Sequence, residues 1–252
     1  MELDQIKQKL IDFIKTQAGD KPVVLGLSGG LDSSVVTYLA VEALGADNVQ
    51  GLILPSSTNT KEDLDLAQKI AKHLGIQYST FSIQSLLEFY AETLNFKPNK
   101  QTLGNLKARI RMTLLYSKAN ELNGLVLGTG NKTEIMTGYF TKHGDGGADL
   151  LPIGDLYKTE ERELAKYLEI PQEIINRPPT AGLWKGQTDE DELGITYDEL
   201  DKILIATENK ENLDNFDKDQ IVLVQTLIKN SEHKRKLPPI CEIIFKSSES
   251  ML

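Results

Sequence analysis

The 252-residue chain contains one cysteine, Cys241, with three histidines and one tryptophan. A single cysteine excludes an internal disulfide and any CxxC metal motif, a usage suited to a reducing compartment. It has no partner motif around it that would mark a catalytic thiol. No apolar run approaches the ~18 residues of a membrane span. The start Met1-Glu2-Leu3-Asp4-Gln5-Ile6 lacks the basic and apolar regions of an export signal. The expectation is a cytoplasmic protein with no membrane partner. Basic residues are also in deficit: 28 Lys and Arg against 37 Asp and Glu leave a net charge of −9, which argues against nucleic acid as a partner. There is no Gly-Lys pair, so a GxxxxGK[ST] phosphate loop is excluded, and the GxGxxG dinucleotide fingerprint is missing as well.

What is present is Gly26-Leu27-Ser28-Gly29-Gly30-Leu31-Asp32-Ser33, set between the apolar run Val23-Val24-Leu25 and the stretch Ser34-Val35-Val36-Thr37-Tyr38-Leu39-Ala40. That order predicts a buried strand, a tight turn and a helix N-terminus. Adjacent glycines allow positive φ and close approach of a ligand to the backbone. The helix then offers unpaired N–H groups and the positive end of its dipole to an anion. Ser28 and Ser33 add hydroxyl donors, and Asp32 is placed to carry a metal that bridges phosphates. The plainer reading is a glycine turn that only closes a βα unit. Ser-Gly-Gly-x-Asp-Ser directly after a strand favours a nucleotide, and the loop resembles that of the N-type ATP pyrophosphatases, which cleave ATP between the α- and β-phosphates.

Along the chain, Leu3, Ile6, Leu10 and Phe13 predict an amphipathic helix over 3–17. Strands are predicted over 22–27, 49–55 and 77–81, with helices between them. This alternation predicts a doubly wound parallel sheet flanked by helices, with ligands at the carboxyl ends of its strands. Further helices are predicted over 83–93 and 103–123, then a fourth strand over 125–129 and a short fifth near 150–153. Gly138 to Gly147 reads as a mobile loop, 182–194 as irregular, and 158–168, 171–176, 197–207 and 218–229 as helices, followed by a polar, frayed tail after Phe245. At this length one α/β domain spanning 1–252 is expected.

Outside the loop, Thr129 and Glu134 fall just after the fourth strand, where a carboxylate can meet a nucleotide-bound metal. Glu134 equally suits a helix start, where it favours the dipole. Asn105 and Arg109 share one helix face, although an arginine so placed usually makes a surface ion pair. Lys142 and His143 read as loop residues in solvent, and Asp189-Glu190-Asp191-Glu192 as a solvated acidic face.

Taken in order, several segments identify the chain as similar to the ammonia-dependent NAD synthetases. They are the loop, Asn105-Leu106-Lys107-Ala108-Arg109-Ile110-Arg111-Met112, Gly128-Thr129-Gly130-Asn131-Lys132-Thr133-Glu134 and Lys142-His143-Gly144-Asp145-Gly146. Gly154-Asp155-Leu156-Tyr157-Lys158-Thr159, Pro179-Thr180-Ala181-Gly182-Leu183-Trp184, Gln187-Thr188-Asp189-Glu190 and His233-Lys234-Arg235 continue the resemblance over nearly the whole chain. It implies an adenine nucleotide alpha hydrolase-like fold and a two-step amidation of nicotinate adenine dinucleotide. The nicotinate carboxylate attacks the ATP α-phosphorus, pyrophosphate leaves, and ammonia displaces AMP from the adenylate. By matching positions, the resemblance assigns Gly26, Leu27, Ser28, Gly29, Gly30, Leu31, Asp32 and Ser33 with Thr129, Lys158 and Thr180 to ATP. Asp32 and Glu134 fall to magnesium, and Asp32, Glu134 and Lys158 to catalysis. Arg109, Lys142, Asp149, His233 and Lys234 fall to the dinucleotide. It also implies a homodimer and a free-ammonia donor, since no glutaminase region accompanies these motifs. A purine-amidating enzyme of the same superfamily and a non-catalytic ATP-binding module are the rival readings.

Overall fold

A computed structural model describes residues 2–241 and 243. The expected tail after Phe245 lies outside the described residues. The chain forms α1 (Leu3–Ala18), β1 (Val23–Gly26), α2 (Leu31–Leu44), β2 (Val49–Ile53), α3 (Lys61–Leu74), β3 (Gln77–Thr80), α4 (Gln84–Thr93) and α5 (Lys100–Glu121). It continues through β4 (Leu125–Val126), α6 (Lys132–Thr137), α7 (Lys158–Tyr167), α8 (Gln172–Ile175), α9 (Asp189–Leu193), α10 (Tyr197–Glu208), α11 (Lys218–Asn230) and α12 (Glu232–Arg235).

All four strands are parallel, in the order β3-β2-β1-β4. Val23, Val24 and Leu25 have no measurable exposure, as a central strand covered on both faces requires. One face carries α1, α2, α3, α7 and α8, whose Ile11, Ile14, Val35, Leu39, Ile70, Leu164 and Ile174 pack with Val23 and Leu25. The opposite face, with Val24, Leu52 and Val126, is covered from α4 and α5 by Leu87, Ile110 and Ala119. A third apolar cluster, centred on Tyr197, Leu200, Ile203, Leu204 and Val224, joins α10 and α11 beside the sheet. No described helix is long and apolar enough to cross a membrane.

Because β2 and β4 lie on opposite sides of β1, the chain reverses its winding between β1 and β4. Open α/β sheets form their ligand crevice at that point, beyond the carboxyl ends of the strands. The glycine loop leaves β1 there, and the segment of Thr129 and Glu134 leaves β4 there.

Four elements differ from expectation. The fourth strand is only two residues long, and the fifth reduces to one parallel bridge, Leu127 to Leu150. The acceptor that continues β4 is a side chain: Asp149 Oδ2 takes the Val126 N–H at 2.8 Å. The 182–194 stretch contains a helix, α9, capped by Thr188 through the Asp191 N–H and ended by left-handed Gly194. The 138–147 segment is a set of turns in which Gly144 N donates to Thr141 O at 2.9 Å and Thr141 N to Asp145 Oδ1 at 2.7 Å. Lys234 Nζ fastens it by donating to Gly138 O and Phe140 O, each at 2.6 Å.

Candidate active site

The cleft at the β1/β4 switch encloses about 530 Å³, and Asp32, Thr129, Glu134, Lys158, Thr180 and Lys234 all line it. Its floor is the glycine loop. Gly30 is the N-cap of α2 and makes no side-chain cap, so the Leu31, Asp32 and Ser33 N–H groups have no partner among the described residues. Three orphan donors at the start of a 14-residue helix form an anion cradle. Ser28 Oγ accepts from Gly30 N at 3.1 Å and lies 2.9 Å from Ser33 Oγ. These bonds fix the loop in place before a ligand arrives. Of the two adjacent glycines only Gly29 has positive φ, +78°, and its backbone is pressed against the Asp63 carbonyl of α3. Gly30 adopts φ −90° and lines the cleft. The pair therefore divides the work: Gly29 makes the turn, and Gly30 leaves the space.

Asp32 Oδ1 accepts from Lys158 Nζ at 2.6 Å and from Asn131 Nδ2 at 2.8 Å. Burial pushes the Asp32 carboxyl up, but the Lys158 charge, with the bonds from Lys158 and Asn131, holds it below its ordinary value. Lys158, the first residue of α7, is only 2% exposed. Burial favours its neutral amine. The charges of Asp32, Glu161 and Glu134 outweigh that and hold the ammonium well above the usual lysine range.

Glu134 is the third residue of α6, where its Oε2 accepts the Asn131 N–H at 3.1 Å and Asn131 Oδ1 accepts the Glu134 N–H at 3.0 Å. This capping box bears out the helix-start reading of Glu134, and the same side chain faces the cleft. Burial and then the Asp32 charge raise the Glu134 carboxyl well above its ordinary value. Two crowded carboxylates, each with one oxygen free of an N–H or O–H donor among the described residues, suit a hard divalent cation that also takes phosphate and water oxygens. The residues present therefore fit magnesium.

Several residues that sequence reasoning gave no role hold this arrangement. Asn131 has no exposure and joins the two carboxylate segments. Asp201, buried on α10, accepts the Thr133 hydroxyl on Oδ1 at 2.5 Å and the Thr159 N–H on Oδ2 at 2.8 Å. It thereby ties α6 to the start of α7. Arg177 NH2 pairs with Asp63 and its NH1 donates to Gly29 O at 3.4 Å, bracing the loop from the far wall. Asp189, read as part of a solvated run, is 4% exposed instead. It accepts the Tyr139 and Tyr197 hydroxyls, both at 3.0 Å, and the Ala181 N–H at 3.1 Å, so it fastens the Thr180 loop to the cleft. Burial raises its carboxyl above the ordinary value.

The residues assigned to the dinucleotide divide in two. Lys234 lines the cleft, whereas Arg109, Lys142 and Asp149 lie outside it along α5, and His233 lies outside it on α12. On α5, Asn105, Arg109, Met112 and Tyr116 form one stripe that carries the 141–149 segment. Asn105 Oδ1 accepts the Thr141 hydroxyl at 2.7 Å, and Arg109 donates twice to Lys142 O at 3.3 Å. Gly147 sits against Met112. Tyr116 donates to Asp149 Oδ1 at 3.2 Å, and its own hydroxyl is pushed up to about 12 by burial and Asp149. Lys142 Nζ in turn donates to His233 O at 2.7 Å.

The family model described as NAD synthase matches residues 2–238. The chain belongs to the NAD synthase family. Among relatives, the NH(3)-dependent NAD(+) synthetase of Methanocaldococcus jannaschii is 47% identical over 255 residues, covering 96% of this chain and 98% of that one. That of Methanococcoides burtonii is 45% identical over 251 residues, covering 95% of each. Among solved structures, NMN synthetase from Francisella tularensis superposes with a TM-score of 0.87 at 38% identity, covering 96% of this chain and all of that one. The NH3-dependent NAD synthetase of Campylobacter jejuni, in complex with the nitrate ion, gives 0.82 at 34% identity with the same coverage.

Proposed function

We propose that this NAD synthase uses ATP and ammonia to convert the nicotinate carboxylate of deamido-NAD into the carboxamide of NAD, releasing AMP and pyrophosphate. The observation that carries the reading is the convergence of the open helix N-terminus of α2, Asp32, Glu134 and Lys158 on one cleft. A carboxylate is a poor acyl donor until one of its oxygens belongs to a good leaving group. The orphan N–H groups at Leu31, Asp32 and Ser33 hold the ATP phosphates, and the Lys158 ammonium stabilises the charge that builds on departing pyrophosphate. Thr129 and Thr180 flank the nucleotide. Magnesium, held by Asp32 and Glu134, would supply further neutralisation of the phosphate oxygens.

The nicotinate carboxylate then attacks the α-phosphorus, the α–β bond breaks, and pyrophosphate leaves. Neutral ammonia attacks the acyl carbon, AMP departs with one carboxylate oxygen, and no side chain becomes covalently attached. Arg109, Lys142, Asp149, His233 and Lys234 bind the dinucleotide, with all but Lys234 engaging the part that extends beyond the cleft along α5. We further propose that residues 1–252 work as one catalytic domain, in the cytoplasm, and that two copies pair as a homodimer.

The Francisella neighbour, named an NMN synthetase, favours one alternative substrate, the mononucleotide acid that would give NMN by the same chemistry. Competition between the two acids at equal concentration, with ATP, magnesium and ammonium, separates the readings. Predominant NAD supports the proposal; predominant NMN moves the substrate to the smaller acid.

A further inference from the structure

Glu161 carries the only buried side-chain oxygen without a hydrogen-bond partner among the described residues, Oε1, in a residue with no exposure at all. Native proteins rarely leave such an atom unpaired, because the lost hydration is not returned. The other oxygen, Oε2, lies 3.2 Å from Lys158 Nζ, one helical turn earlier on α7. Lys158 has three N–H donors. Asp32 takes one at 2.6 Å and Glu161 a second, which leaves one for the cleft that Lys158 lines. Asp32 and Glu161 differ in one respect. Asp32 lies on the cleft wall, 24% exposed, where a nucleotide and its metal compete for its oxygens, whereas Glu161 lies behind the lysine, where no ligand reaches.

We infer that Glu161 is a positioning residue: it anchors the Lys158 ammonium from behind, so that the lysine stays aimed at the nucleotide phosphates when Asp32 turns to its own ligand. The inference rests on the assignment of Lys158 to ATP. The anchor is the acceptor oxygen of residue 161, and the unpaired Oε1 is a stability cost carried for that placement. An apolar replacement of similar size should therefore be tolerated by the fold and not by the reaction, since it removes the unpaired Oε1 while Asp32 still neutralises the Lys158 ammonium, so no buried charge is left without a partner.

The test is a cycle of Glu161→Leu and Glu161→Gln in the wild-type and Lys158→Met backgrounds. It is read as kcat and KM for ATP, with thermal melts and magnesium–ATP binding by calorimetry. Wild-type formation of AMP and pyrophosphate is measured first, so that failure of the proposed activity is separate from failure of this inference. Glu161→Leu should lower kcat/KM for ATP by ~10-fold or more, the scale of losing a residue that orients a first-contact group, with a melting temperature no lower than wild type. Glu161→Gln, which keeps the acceptor, should recover most of that loss. With Lys158→Met the two residue-161 substitutions should change neither kcat/KM nor ATP affinity further. Equal losses in both backgrounds, no loss in the wild-type background, or a melting temperature that falls together with activity would overturn the inference. Should Glu161→Leu fail to fold, Glu161→Met is read in the same cycle against the same outcomes.

Discussion

Asn131 donates its side-chain amide to Asp32 at 2.8 Å while its carbonyl oxygen accepts the Glu134 N–H at 3.0 Å. One buried side chain thus spaces the two carboxylates that face the cleft, from segments that leave two different strands. Asn131→Ala should cost about 1 kcal/mol of stability through the lost helix cap and ~10- to 100-fold in activity through misplaced carboxylates. Asn131→Ser separates the two effects. It keeps a cap acceptor and removes the amide that reaches Asp32, so thermal melts should show less loss of stability than Asn131→Ala while activity still falls.

The carboxylates themselves give a second prediction. Asp32→Asn and Glu134→Gln should each cut turnover sharply and leave the fold intact, and the loss should be partly recovered at high magnesium. In calorimetry, magnesium–ATP should bind these variants more weakly than free ATP does relative to wild type. Near-normal activity at limiting magnesium in either variant would remove it from the metal site.

Gly29 and Gly30 are adjacent and should respond oppositely. Gly29→Ala forces a side chain into the left-handed region, at roughly 1–2 kcal/mol, and drives Cβ into the Asp63 carbonyl, so urea unfolding should show a clear loss of stability. Gly30→Ala, at φ −90°, should fold normally and instead weaken ATP binding, because its Cβ enters the space beside Ser28 Oγ.

Acid stability should depend on Arg177. Burial pushes the Asp63 carboxyl up, but its bonds from Arg177 and Thr60 hold it below its ordinary value of 3.8. A depressed folded-state value means that the native state binds the proton less readily than the unfolded chain. The resulting stability is present above pH 3.8 and is lost as pH falls through the lower folded-state value. Arg177→Gln removes part of that depression. Its acid unfolding midpoint should move to higher pH, while the difference from wild type above neutrality reflects only the lost pair.

Much of this could be read along the chain. The apolar run before the glycine loop could only be a strand covered on both faces, and the alternation of strands and helices set the parallel sheet and the side on which ligands bind. The interior of the site was harder to read. Asn131 and Glu134 are spaced as a capping box, a local signal, yet the contact of Asn131 with Asp32 spans 99 residues and has no local trace. Asp201 falls among Tyr197, Leu200 and Leu204 on the buried face of α10, and Glu161 shares a face of α7 with Leu164 and Ala165. A charge at an apolar position was the available clue in both. The acidic run misled because a row of charges conceals which member turns inward, and Asp189 does so only because Tyr139 and Tyr197 offer it hydroxyls. The fifth strand shrank to a bridge because the Asp149 side chain occupies the N–H that a longer strand would have paired.

The central claim is that the substrate carboxylate is activated at the α-phosphorus of ATP in this cleft. It is tested most directly by following oxygen from deamido-NAD labelled with 18O in the nicotinate carboxylate, with ATP, magnesium and ammonium, by mass spectrometry of the products. The account predicts AMP carrying one labelled oxygen in step with NAD retaining the other, and unlabelled pyrophosphate. Formation of ADP and labelled inorganic phosphate, or AMP without label, would contradict it.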